Sequence, residues 1–185
     1  MFHEFKSRAE AVSAEVVRVE TRAAALDFLI GFLQREDVAD KPDYYAVWAA
    51  CPFLAGIDRE ELTRRVPGLR FDVTRETAAQ ARVGISQLEW AAAATGTLLQ
   101  DASAVEQRLV STLPPIHIAL VPTLGIVADV PSALAKMDPR RAAFIAAITG
   151  PSRTADIERV LTIGVHGPER LVIVCVDELE EGGRQ

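Results

Sequence analysis

Residues 149–168 read TGPSRTADIERVLTIGVHGP and crowd glycines, prolines, hydroxyls, acids and a histidine into one short stretch. The chemistry such residues offer is anion recognition. Gly150, Ser152, Arg153 and Thr154 lie in GPSRT, which reads as the joint between a strand and a helix. The first amides of a helix have no intrahelical partner, and the helix dipole adds positive potential there. A carboxylate or a phosphate suits that place, and Arg153 reinforces it. Asp156, in the first turn of the expected helix, and Glu158 just behind it occupy the same favourable end and compete with an anion. The same residues also make a well-capped helix after a tight turn. His166 and Gly167 follow between chain breakers, where a neutral imidazole can bind a ligand or pass a proton. Thr95, Gly96 and Thr97 form a second polar hinge whose amides can face a ligand. His117 sits in an apolar run and reads as a core residue, while Asp129 stands unspecifically beside a strand end. The dinucleotide glycine fingerprint, the phosphate-binding P-loop, the nucleophile elbow and the zincin H-E-x-x-H are all missing.

The elements that must position these residues follow from periodicity. Phe5, Ala9 and Val12 mark a short helix over 4–13, and EVVRVE (15–20) reads as a strand. In TRAAALDFLIGFLQRED, Thr21 caps a helix whose Leu26, Leu29, Ile30 and Leu33 share one face. YYAVWAA (44–50) is extended. DREELTRR (58–65) is a helix capped by Asp58, and TRETAAQAR (74–82) one capped by Thr74. VGIS (83–86) is briefly extended, and IHIALVP (116–122) and RLVIVCVD (170–177) read as strands buried on both faces. VPSALAKM opens a helix at Pro131, the second half of AAFIAAIT (142–149) is a strand, and TADIERVLTIG is a helix stopped by Gly164. Strands alternating with helices predict an α/β fold with a mostly parallel sheet flanked by helices. Ligands of such sheets sit beyond the carboxyl ends of the strands. That rule puts three loops in play: TGT (95–97), TLG (123–125) and GPSRT (150–154).

A length of 185 residues suits one structural unit, with residues 1–40 as a helical and strand region packed on a main domain of 41–185. The net charge is −6 and no basic stripe occurs, which argues against nucleic acid and against an anionic membrane surface. Cys51 and Cys175 are the only cysteines and no C-x-x-C exists, so no iron–sulfur cluster or other cofactor is expected in this chain. The start MFHEFKSRAE has charges where a leader's apolar core belongs, and no apolar run approaches the ~20 residues needed to span a bilayer. The expected location is the cytoplasm.

Three runs carry a resemblance: GISQLEWAAAATGTLL (84–99), RLVSTLPPIHIALVP (108–122) and ITGPSRTADIERVLTIGVHGPERLVIVCVDE (148–178). Together they resemble the lactate utilization protein C family, the LUD-domain proteins. The match runs from about residue 70 to 178 and more loosely over the N-terminal helices. It implies the α/β fold shared with phosphosugar isomerases, CoA transferases and formyltetrahydrofolate cyclo-ligases. It further implies a subunit that supports oxidation of L-lactate to pyruvate beside iron–sulfur partner proteins; the TGT, GPSRT and HGP segments are where such a subunit could take a small carboxylate or phosphate. The alternatives are a stand-alone small-molecule enzyme of that fold, or a metabolite sensor. The family usually carries an acidic residue directly before Thr-Gly-Thr, where this chain has Ala94; the other usual acidic position is matched by Glu89.

Overall fold

Phe5 and Ala9, four residues apart, bury one side of α1 (Phe2–Ala11). The computed structural model describes residues 1–138, 140–155, 161–163 and 167–180. After β1 (Glu15–Val19), the Thr21 hydroxyl accepts the Ala24 amide at 3.1 Å and starts α2 (Arg22–Arg35), which buries Ala25, Leu29, Ile30 and Leu33. β2 (Tyr45–Trp48) leads through a 3-10 turn at Pro52–Leu54 to α3 (Arg59–Arg65), where the Asp58 carboxylate accepts the amides of Glu60 and Glu61. β3 (Leu69–Arg70), α4 (Arg75–Ala79, capped by Thr74) and β4 (Ala81–Gln87) follow. Next come β5 (Trp90–Ala92), β6 (Thr97–Asp101), α5 (Val105–Thr112) and β7 (Ile116–Pro122). β8 (Ile126–Val127) precedes α6 (Val130–Lys136), capped by Asp129, which accepts the Ser132 amide at 2.8 Å. β9 (Ile145–Ile148), β10 (Arg153–Ala155), β11 (Leu161–Ile163) and β12 (Arg170–Val176) complete the order.

The main sheet has six strands in the order β1-β12-β7-β4-β2-β3, every neighbouring pair parallel. Residues 1–40 thus supply its β1 edge and, through α2, part of its core. Every residue of β7 is buried, as is all of β12 after Arg170. Alternation divides their side chains. Ile116, Ile118, Leu120, Val172, Val174 and Val176 pack with the buried face of α2. Ala119, Val121, Leu171, Ile173 and Cys175 pack with Phe5 and Ala9 of α1 and Leu98 of β6. A second sheet, β8-β5-β6-β9, lies on that side. Its β5 leaves the carboxyl end of β4, turns back at Gly96 and returns as β6. Among the described residues no helix is long and apolar enough to cross a membrane.

Several expectations are corrected. The helix expected over TADIERVLTIG is not what the described parts form. Arg153–Ala155 and Leu161–Ile163 are extended and pair antiparallel, with Arg153 opposite Ile163; residues 156–160 lie outside the described residues. The β-branched Thr162 and Ile163 suit a ladder as well as a helix face, and cross-strand pairing decides. The helix predicted over 74–82 stops at Ala79, because Ala81 already pairs with Tyr45 of β2. The alanine run and Thr-Gly-Thr form the β5–β6 hairpin, not a loop at a carboxyl end. Helix α5 is absent from the sequence reading although Val105, Leu109 and Val110 fall at helical spacing; Val110 is buried in the fold.

Candidate functional site

From β2 the chain steps outward to β3, then crosses back to β4 and continues to β7 and β12 in the opposite direction. The topological switch point is therefore between β2 and β4. Open α/β sheets place ligands in the crevice outside the carboxyl ends at such a point. Two segments meet there: Ala49–Phe53 after β2, and Gln87–Glu89 at the end of β4.

Glutamines tie these segments together. The Gln87 side-chain oxygen accepts the Phe53 amide at 2.8 Å. Gln100 of β6 donates to the Gln87 carbonyl at 3.0 Å and to Gln107 Oε1 of α5 at 2.8 Å. Gln107 in turn donates to the Ala50 carbonyl at 2.9 Å. Gln100 is fully buried, yet its own Oε1 has no partner among the described residues. A buried amide oxygen left unpaired costs about 1–3 kcal/mol, so it marks a place where a further donor belongs.

Glu89 stands beside this network. Its Oε2 accepts the Asp101 amide at 2.9 Å, and no Lys, Arg or His among the described residues pairs with it. Loss of water around the carboxyl pushes its pKa up from 4.5 to about 7; the amides of Asp101 and of Glu89 itself oppose this, and the Asp101 charge adds to it. The residue is half-buried, so the carboxyl keeps a route to solvent. A carboxyl poised near neutrality can donate a hydrogen bond, accept one, or exchange a proton. The loop after β7 closes the neighbourhood: a Cβ on Gly125 would stand 2.6 Å from the Glu89 carbonyl oxygen. Cys51 is half-buried in the same region, and burial raises its thiol pKa, which disfavours the thiolate. Among the described residues no three His, Cys, Asp or Glu side chains gather as metal ligands.

The candidates read from the sequence lie elsewhere. Thr95, Thr97 and Thr149 form a chain of hydroxyls, 2.7 Å and 2.9 Å apart, where the β5–β6 turn meets the end of β9. The Ser152 amide donates to the Pro168 carbonyl at 2.8 Å, and Gly167 lies against Ser152. Arg153 donates to Ser13 Oγ at 2.7 Å. Thus Thr95, Gly96, Thr97, Gly150, Ser152, Arg153 and Gly167 do come together, at the amino edge of the parallel sheet, beside the starts of β1 and β12. The TGT and GPSRT turns are both there, while TLG is at the carboxyl edge. Thr154 is in β10, so among the described residues GPSRT leads into a strand and not into a helix. Asp156 and His166 lie outside the described residues. Gly96 and Gly150 have positive φ, and a Cβ on either would stand 2.5 Å from backbone of α1 or its C-cap (Ala9 N and Val12 O). Their small size admits α1.

His117 is buried, with Nε2 2.8 Å from Ser86 Oγ and Nδ1 unpartnered among the described residues. Burial lowers its pKa to about 4, so the ring is neutral and structural. An open concavity of about 410 Å³ lies between α3 and Phe71, but its polar walls are exposed Arg59, Glu60, Thr63 and Arg64. Sequence reasoning passed over Gln87, Gln100, Asp101 and Gln107, and reached Glu89 only through resemblance. The available signal was polar residues inside apolar strands, in TLLQD above all.

Comparison with known proteins follows the same outline. Lactate utilization protein C of an Exiguobacterium species is 37% identical over 117 residues, which cover 58% of this chain and 50% of that protein. The Bacillus licheniformis protein of that name is 35% identical over 113 residues, covering 58% and 47%. The one from Bacillus subtilis is 38% identical over 107 residues, covering 55% and 45%. The chain spans about half the length of the curated relatives it matches. A DUF162 family protein from Deinococcus radiodurans has a similar fold, with a TM-score of 0.60 at 22% identity over 95% of both chains. The sequence model described as the LUD domain matches residues 2–176, all six strands of the parallel sheet and its helices, and the chain belongs to that family.

Proposed function

We infer that this chain is a lactate utilization protein C-like subunit. It supports oxidation of L-lactate to pyruvate in the cytoplasm together with iron–sulfur partner proteins, which carry the electrons. The observation that carries this reading is the similarity to proteins named lactate utilization protein C, at 35–38% identity over more than half of the chain. A small-carboxylate ligand is supported at the switch point by a desolvated acid after β4, Glu89, and by the unpartnered Gln100 Oε1 of β6. The chain's own part is to bind and orient such a ligand and to hold or release a proton at Glu89.

Deletion of the coding sequence is expected to abolish growth on L-lactate as sole carbon source while leaving growth on pyruvate intact, and a tagged copy should retain cluster-bearing proteins. Normal growth on L-lactate after deletion overturns the reading. Glu89, with its pKa near 7, also favours a second reading, a stand-alone small-molecule enzyme using general acid–base chemistry. Turnover of a phosphosugar, acyl-CoA or folate by the purified chain, lost in Glu89→Gln, would favour it.

A further inference from the structure

We propose that Glu89 is the ligand-recognition group of the switch point and takes a small monocarboxylate as an acid–anion pair, binding one proton from solvent as the ligand enters. This deepens the carboxylate part of the function inferred above and rests on it for the choice of ligand. One O–H···O⁻ hydrogen bond forms between the Glu89 acid and the ligand carboxylate; no covalent bond changes.

The argument is one of charge. An anion beside an ionised Glu89 and the Asp101 carboxylate would meet two like charges. The cations on the surrounding elements have other contacts. Arg108 of α5 is bonded to the carbonyls of Ala102 and Ser103 and lies over the Phe144 ring. Lys136 of α6 lies over the Trp90 ring, 4.7 Å from its centroid. Beyond β7, Arg18 of β1 is bonded to Asp177 at 2.8 Å. From the β2 side the titratable group is the Cys51 thiol, which burial keeps neutral. Arg22 of α2 donates to the carbonyls of Phe53 and Ala55, and Arg59 of α3 lies over the Phe71 ring, 5.2 Å from its centroid. No cation among the described residues pairs with Glu89 itself, so an anion beside it is accepted with a proton. The fold has prepared the carboxyl for that: it is desolvated, and its Oε2 is fixed by the Asp101 amide. Charge-assisted O–H···O⁻ bonds are short and roughly twice as strong as neutral ones. A phosphate dianion would bring twice the charge against the same carboxylates, so a single carboxylate is the better fit. The unpartnered Gln100 Oε1 accepts a hydroxyl carried by the ligand or a bridging water.

The test is titration calorimetry of the full chain with L-lactate, pyruvate and acetate at pH 6 and pH 8, each in two buffers of different ionisation heat. Close to one proton should be taken up per ligand at pH 8 and much less at pH 6. Affinity should fall about tenfold per pH unit above 7. Glu89→Gln, which keeps an amide donor, should bind with no proton uptake and no pH dependence. Carbon-detected NMR of Glu89 in the unaltered protein gives a readout that needs no variant: saturating L-lactate should move its titration to higher pH. Wild-type affinity independent of pH, undiminished proton uptake in Glu89→Gln, or no heat with any of the three acids each overturns the proposal. The lactate reading stands or falls separately on the growth assay, since a carboxylate bound with a proton by a protein dispensable for lactate growth would keep the proposal and sink the reading.

Discussion

The two edges of the parallel sheet use small and polar residues for opposite ends. At the amino edge, Gly96, Gly150, Ser152 and the threonine hydroxyls satisfy one another and fit around α1. At the carboxyl edge, Gln87, Gln100 and Gln107 hold two strand ends together but leave an acceptor unused and a carboxyl without a cation. Clustered turn residues therefore identify a tight junction as readily as a ligand site. What separates the two among the described residues is a buried acceptor without a partner, Gln100 Oε1, at the carboxyl edge.

The largest break in that comparison is Gly96→Val. Its φ of +67° strains any side chain, and the new Cβ would stand 2.5 Å from the Ala9 nitrogen. Displacing α1 from Phe5 and Ala9 contacts should cost about 3 kcal/mol or more, read as a fall in the denaturant midpoint. The Glu89 titration followed by NMR should keep its midpoint if the two edges are independent.

Glu89→Gln should act in the other direction. The folded carboxyl binds its proton more tightly than the unfolded one, 7 against 4.5, so burial is free of penalty below pH 4.5 and stability is lost as pH rises through about 7. The variant should be more stable than the parent by about 3 kcal/mol at pH 8, and nearly equal to it at pH 4.5. His117 has the opposite sign. Its folded pKa of about 4 lies below 6.5, so its contribution is whole above pH 6.5 and is lost as pH falls toward 4. The two slopes offset one another between pH 4.5 and 6.5. Chemical denaturation of Glu89→Gln should therefore expose the acid limb due to His117, about 3 kcal/mol in full. A flat profile in that variant would show that the imidazole is not held neutral.

Gln100→Leu comes next. It deletes the donor to both the Gln87 carbonyl and Gln107, and with it the unpaired Oε1. Loss of two bonds is partly offset by removal of one orphan, leaving a net cost of about 1–2 kcal/mol. Affinity for L-lactate should fall more than affinity for acetate, which has no hydroxyl to offer.

How much of this was legible beforehand depends on the range of the forces. Thr21 and the Leu29–Ile30–Leu33 face announce α2 because capping and helical periodicity are local. The continuous apolar runs of β7 and β12 announce central parallel strands for the same reason. Leu161–Thr162–Ile163 misleads, because its spacing with Ile157 and Val160 satisfies a helix pattern while pairing with Arg153–Ala155 decides the outcome. The switch point cannot be read locally at all. It depends on strand order, in which β1 and β12 are neighbours although more than 100 residues of chain separate them. Glu89 carries no local sign of its raised pKa, since desolvation is imposed by β6 and the turn after β7.

Arg153 gives the smallest effect and the sharpest contrast. In the sequence it is the cation of an anion site; in the fold its guanidinium is exposed and donates to Ser13 Oγ at 2.7 Å. An exposed side-chain hydrogen bond of this kind contributes little, because water replaces it on either side of the folding equilibrium. Arg153→Ala should alter stability by less than about 0.5 kcal/mol. It should also leave calorimetric affinity for L-lactate and the proton uptake at pH 8 unchanged, because the amino and carboxyl edges are separated by the length of the parallel strands. A loss of carboxylate binding in Arg153→Ala that Glu89→Gln does not reproduce would reverse the assignment of the two edges and move the ligand to the α1 junction.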